Sequence, residues 1–149
     1  MIRMKYLITV LFFASASFSY AADTTPSSSG PSWQGEAQKE IKAKNYDGAI
    51  KTLLAANEPN SADWNNLLGY AQRKKSPPNL NAAEFYYQAA LKIDPKHKGA
   101  LEYYGELLLM KNDLPGAEQM LARLDKVCFF SCEEYRDLKA AVTKYKSTR

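Results

Sequence analysis

From Trp33 to Tyr145 the apolar residues recur at intervals of three and four, the period of an amphipathic helix, and no stretch alternates as a strand would. Breakers divide this pattern at Asn45, Glu58-Pro59-Asn60, Ser76-Pro77-Pro78-Asn79, Asp94-Pro95, Asn112-Asp113 with Pro115-Gly116, and around Ser131. The pieces between them are roughly 11–15 residues, or three to four turns. Short connections between helices of that length favour antiparallel neighbours. The pattern predicts an all-α fold of seven helices stacked as hairpins.

A repeat runs through the pattern. Leu68-Gly69 aligns with Tyr104-Gly105, and Ala83, Tyr87 and Ala90 align with Ala117, Leu121 and Leu124. Ala83 and Ala117 are 34 positions apart, whereas Gly69 and Gly105 are 36 apart. The two extra residues fall in Lys75-Ser76-Pro77-Pro78-Asn79, a loop, where insertion costs little. One step earlier, Ala49, Leu53 and Ala56 precede Ala83, Tyr87 and Ala90 by 34. Ala37 stands where the glycine would be.

These residues resemble the tetratricopeptide repeat, a 34-residue helix–turn–helix unit whose helices touch through small side chains. The resemblance implies a right-handed superhelix of antiparallel hairpins. Three repeats fall at about 33–60, 61–95 and 96–127, within a domain of residues 33–146. Gly69 and Gly105 would admit the second helix of each hairpin, and Asp94-Pro95 would end one repeat so that the next can turn. A repeat array needs a capped end. Ser131-Cys132-Glu133-Glu134 reads as a capping box opening a final helix over 132–146, whose Cys132, Tyr135, Leu138, Val142 and Tyr145 form one apolar stripe. That helix is expected to belong to the fold rather than to a ligand site.

Tetratricopeptide arrays bind peptides or proteins on the concave face lined by the first helix of each hairpin. Counted from Gly69 and Gly105, the resemblance places Asn66, Tyr70, Arg73 and Lys74 there, with Glu102, Glu106, Leu109 and Met110 from the next repeat and Tyr103 nearby. Gln34, Gln38 and Lys42 would come from the first repeat. Arg73 could equally pair with Glu102 or Glu106 and simply solvate the face. Those two acids argue against a clamp for a terminal carboxylate.

Cys128 and Cys132 are four apart. In an unbroken helix their Cβ atoms would be about 5–6 Å apart, beyond the roughly 3.8 Å a disulfide prefers. A break at Ser131 makes Phe129-Phe130 a corner across which the sulfurs can meet. The expected outcome is a structural disulfide; the alternative is a thiol-redox pair with Cys132 activated at a helix N-terminus.

The N-terminus changes the setting. Met1–Lys5 is basic, Tyr6–Tyr20 is apolar and uncharged, and Ser19 and Ala21 suit a small-x-small cut. This predicts a signal peptide over residues 1–21, cleaved near Ala21, and a Ser/Thr/Pro-rich disordered linker over 22–32. With the signal, Leu67–Lys74, Ala100–Glu106 and the cysteine corner, the chain resembles small exported tetratricopeptide proteins of Gram-negative bacteria. That resemblance implies a periplasmic location and no stable membrane insertion.

Charge and chemistry narrow the function. The formal charge is +4. Without Arg3 and Lys5, 18 basic residues face 16 acids, and +2 is too weak for a nucleic-acid footprint. His97, the only histidine, is expected to be a solvated turn residue. No phosphate loop, nucleophile elbow or paired-histidine metal helix occurs, so neither catalysis, a cofactor nor a metal is expected. The reading is a non-catalytic adaptor that binds a protein or peptide. The alternatives are a redox accessory protein and an architectural subunit of an envelope complex. Three repeats make a short groove, so modest affinity, or help from partner surfaces or self-association, is expected.

Overall fold

A computed structural model describes residues 32–148. Within them seven helices follow one another: α1 (Trp33–Lys42), α2 (Tyr46–Ala56), α3 (Ala62–Lys74), α4 (Leu80–Ile93), α5 (Lys98–Met110), α6 (Leu114–Val127) and α7 (Glu133–Ser147). They form antiparallel hairpins closed by a C-terminal helix, as the periodicity predicts.

The repeat is written most plainly in the helix starts. Asn45, Asn79 and Asp113 cap α2, α4 and α6, each accepting a hydrogen bond from the backbone N–H three residues on, at Gly48, Ala82 and Gly116. Each cap satisfies a donor the first turn leaves unpaired. The three are spaced by 34. The α1–α2 and α5–α6 connections have three residues each, and their middle residues, Lys44 and Asn112, sit in the left-handed region at φ 58° and 64°. The α3–α4 connection has five residues. The two-residue insertion therefore lies in the loop and leaves the helix register intact.

Two layers result. Each helix packs on its neighbours in sequence, and α1 also touches α3, α3 touches α5, and α5 touches α7. No contact joins α2 to α4 or α4 to α6. A stack whose odd-numbered helices meet while its even-numbered ones splay apart is curved, with α1, α3, α5 and α7 on the inner face.

Small residues set the approach within each hairpin. A Cβ on Gly69 would stand 2.6 Å from the ring of Tyr87, so α3 and α4 meet as the repeat requires. Gly105 differs from the expectation: its space is taken by Leu138 of α7, at 2.6 Å, rather than by α6. The residue aligned with Tyr87 in the third hairpin is the smaller Leu121, and α7 fills the place over Gly105 instead. The fully buried side chains include Leu53, Leu68, Tyr87, Leu101, Leu107, Leu124 and Leu138, one series running through the stack. Trp64 adds a buried hydrogen bond from its indole N–H to the Leu53 carbonyl, 2.6 Å, tying α3 to α2.

Two local expectations are corrected. Ser131 does not cap α7. The cap position is Cys132, which makes no side-chain cap bond, and Ser131 lies at φ 55°. Cys128 and Cys132 are brought side by side across the corner, with Cα atoms 5.4 Å apart, and the backbone turns there so that Ser131 leaves the cap position. Phe129 and Phe130 form the corner and are almost wholly exposed. His97 is not a solvated turn residue either. Its Nδ1 accepts from the Ala100 N–H at 3.0 Å, capping α5, and its Nε2 lies 2.9 Å from Asp63. An Nδ1 that accepts leaves the proton on Nε2, which donates to the carboxylate. Asp63 also accepts from Gln34 at 3.3 Å, linking the starts of α1, α3 and α5.

Candidate functional site

The inner face carries two clefts. One, of about 240 Å³, is lined by Gln38, Ile41 and Lys42 of α1, Leu67 and Tyr70 of α3, and Tyr103 of α5. The other, of about 480 Å³, lies between α3, α5 and α7. Arg73, Lys74, Glu106, Leu109 and Met110 form one side, and Ala141, Lys144, Tyr145 and Thr148 the other.

Where the two clefts adjoin, a cluster of side chains is organised by the buried Arg73. Its guanidinium meets Glu106 at 2.7 Å, and its Nε donates to the Tyr87 hydroxyl at 3.3 Å. It also lies 5.6 Å from the ring centroids of both Tyr70 and Tyr103, within cation–π range. Those two rings lie with centroids 4.8 Å apart, tilted at 53° to each other. Only 7% of the Arg73 side chain is exposed, so most of its charge is met by protein rather than water. A planar, always-charged group suits this position, because it bonds in its plane and stacks on its faces. Burial and nearby carboxylates push the Tyr103 hydroxyl up to about 12, so the ring stays neutral and serves as an apolar wall.

The predicted groove residues therefore divide. Arg73, Lys74, Glu106, Leu109 and Met110 come together around the larger cleft, and Tyr70 lines the smaller one. Asn66 and Glu102 are buried, each 7% exposed, and line neither. Of the two possible partners for Arg73, the structure selects Glu106. From the first repeat, Gln38 and Lys42 reach the smaller cleft, whereas Gln34 bonds to Asp63. The contribution of α7 went unforeseen. Its apolar stripe was legible, but Ala141 and Lys144 beside that stripe become a wall only once Leu138 docks over Gly105.

Glu102 has a separate consequence. Burial, and then the charges of Glu106, Asp137 and Glu134, raise its carboxyl from 4.5 to about 8, with Arg73 pulling the other way. A carboxyl that keeps its proton longer in the fold than in the unfolded chain supports the fold fully below its unfolded value. That support is lost as pH rises toward the folded value. The window here runs from about pH 4.5 to about pH 8. Glu102→Gln, which cannot ionise, should gain stability relative to the parent across this window. Urea melts near each end test this, and an unchanged difference between the two proteins would refute it.

Among the described residues no group of three or more His, Cys, Asp or Glu could hold a metal ion, and no helix is long and apolar enough to cross a membrane.

Comparison with known proteins agrees with this architecture. The family model described as "Tetratricopeptide repeat" matches residues 79–142. No curated protein matches the chain. Among solved structures, the chain is similar to the Yersinia enterocolitica type III secretion chaperone SycD, in complex with a peptide of the translocator YopD. The TM-score is 0.63 at 19% identity, covering 78% of this chain and 88% of that one.

This match corrects one expectation from the sequence. SycD is a cytoplasmic chaperone, so the resemblance to exported proteins and the periplasmic location are set aside, while the tetratricopeptide architecture stands. The signal peptide read at 1–21 lies outside the described residues, as does the linker at 22–32 apart from Ser32.

Proposed function

We propose that this chain is a non-catalytic adaptor that holds an extended protein segment along α1, α3, α5 and α7. The observation that carries the proposal is the pair of apolar-floored clefts on one curved face, adjoining at the Arg73 cluster. Tyr70, Leu109 and Met110 would receive apolar side chains of the segment, while Lys74 and Glu106 offer polar contacts at the edge. Beneath these, Asn66 and Glu102 act as packing. The organisation into repeats at about 33–60, 61–95 and 96–127 with a closing helix is part of the same proposal. The SycD–YopD complex supports the reading by analogy of fold.

Photoreactive residues at Tyr70 and at Phe85, an exposed position on the outer helix α4, would test this in cells. Partner adducts at position 70 and none at 85 are expected. The reverse pattern would overturn the proposal.

We include the Cys128–Cys132 bridge in the proposal as a brace for α7. The juxtaposition of the two residues supports it. Closing so short a ring is worth about 2 kcal/mol on the chain-entropy model. Replacing both cysteines with serine should lower the melting temperature by several degrees and leave partner capture in place. Loss of function at unchanged melting temperature would instead favour a redox pair.

A further inference from the structure

The larger cleft has a charge as well as an apolar floor. Leu109, Met110, Ala141 and Tyr145 supply the floor. Of its charged lining, Glu106 is engaged by Arg73, while Lys74 and Lys144 stand exposed. Among the described residues neither lysine is within ion-pair distance of a carboxylate; Lys74 instead lies 5.9 Å from the Tyr70 ring. Three cations and one carboxylate leave the lining at +2. Both lysines lie at helix C-termini, α3 and α7. A helix end contributes only about half a negative charge, less than the full positive charge of each lysine. The acids on α7 nearest in sequence, Glu134 and Asp137, bear on Glu102 and do not line the cleft.

We propose that this cleft recognises an apolar side chain together with an acidic side chain beside it in the bound segment, the carboxylate meeting Lys74 and Lys144. The proposal rests on the reading that the inner face binds an extended segment, and it adds the chemistry of that segment. It also explains why Glu106 does not repel such a ligand: its charge is already matched by Arg73.

The probes are short peptides, acetylated and amidated, that share one leucine-containing sequence and carry Glu, Gln or Lys beside the leucine. Binding is read by fluorescence anisotropy. The Glu peptide should bind tightest and the Lys peptide weakest. Glu should exceed Gln by roughly five-fold, a margin set by exposed ion pairs, and the gap should shrink as salt is added. The double variant Lys74→Glu with Lys144→Glu should reverse the order, with its fold checked by circular dichroism. Lys51→Glu, exposed on the outer helix α2 and away from both clefts, should leave the order unchanged.

Equal affinity for all three peptides would overturn the acidic preference and leave the adaptor reading standing. No binding by any of them would overturn both. A Gln peptide with a free C-terminus that matches the amidated Glu peptide would show a terminal carboxylate to be the ligand, against the proposal.

Discussion

Replacing Gly69 with valine should destabilise the fold by about 2–3 kcal/mol, near the upper end of what overpacking a core usually costs. Even a lone Cβ at this position would come within 2.6 Å of one Tyr87 ring carbon and 2.7 Å of another. Tyr87 has nowhere to go. It is fully buried, its ring is flanked by Tyr103 and Tyr104 at 6.5 and 6.3 Å, and its hydroxyl is held by Arg73. The gain in helix propensity over glycine, under about 1 kcal/mol, offsets only part of this.

Gly105→Ala provides the contrast. Its Cβ would press on the two methyl groups of Leu138, the far end of a side chain that is buried too but carries neither a rigid ring nor a hydrogen bond to hold it in place. The loss at position 105 should therefore be smaller than that of Gly69→Ala. Thermal melts of the variants decide the matter, with a shift of about 10 °C or more expected for Gly69→Val. Equal tolerance at the two positions would mean that α3 and α4 do not nest as described.

Arg73→Ala should be comparably damaging, at about 3 kcal/mol. Removing one member of a buried pair leaves its partner's charge uncompensated, which typically costs about 3–5 kcal/mol. The lower figure applies because Glu106 remains 30% exposed and keeps some water. The variant also strips the Tyr87 hydroxyl of its donor and two tyrosine rings of their cation. Arg73→Lys keeps the charge but not the planar fork, so it should recover only part of the loss. A double-mutant cycle with Glu106→Ala supplies the check: the double variant should be distinctly less damaged than the sum of the singles. Additive losses would show that the pair contributes no coupling.

The hairpin order was legible because it depends on local rules. Breakers fix where helices end, and recurring Gly and Ala mark where they touch. The caps Asn45, Asn79 and Asp113 carried the same 34-residue signal. Read only as breakers, they suggested where helices stop but not that each one starts the next. His97 was misjudged for a different reason. Its role depends on Asp63, 34 residues away in sequence, and that contact exists only after two repeats have stacked. Ser131 looked like a cap by pattern alone, but its left-handed backbone hands the cap position to Cys132.

Half of the candidate site followed from counting along α3 and α5. Counting fixes which side of a helix faces inward but not how deep a residue sits, so Asn66 and Glu102 came out buried rather than exposed. The wall made by α7 was hidden because it depends on Gly105 accepting a leucine from beyond its own hairpin.

The measurement that bears most directly on the adaptor is an NMR titration of the folded chain with a segment of the captured partner. Amide shifts should move along α1, α3, α5 and α7, clustered about Tyr70, Arg73, Leu109 and Tyr145, while α2, α4 and α6 stay still. Shifts concentrated on the outer helices would place the partner on the convex side and contradict the account.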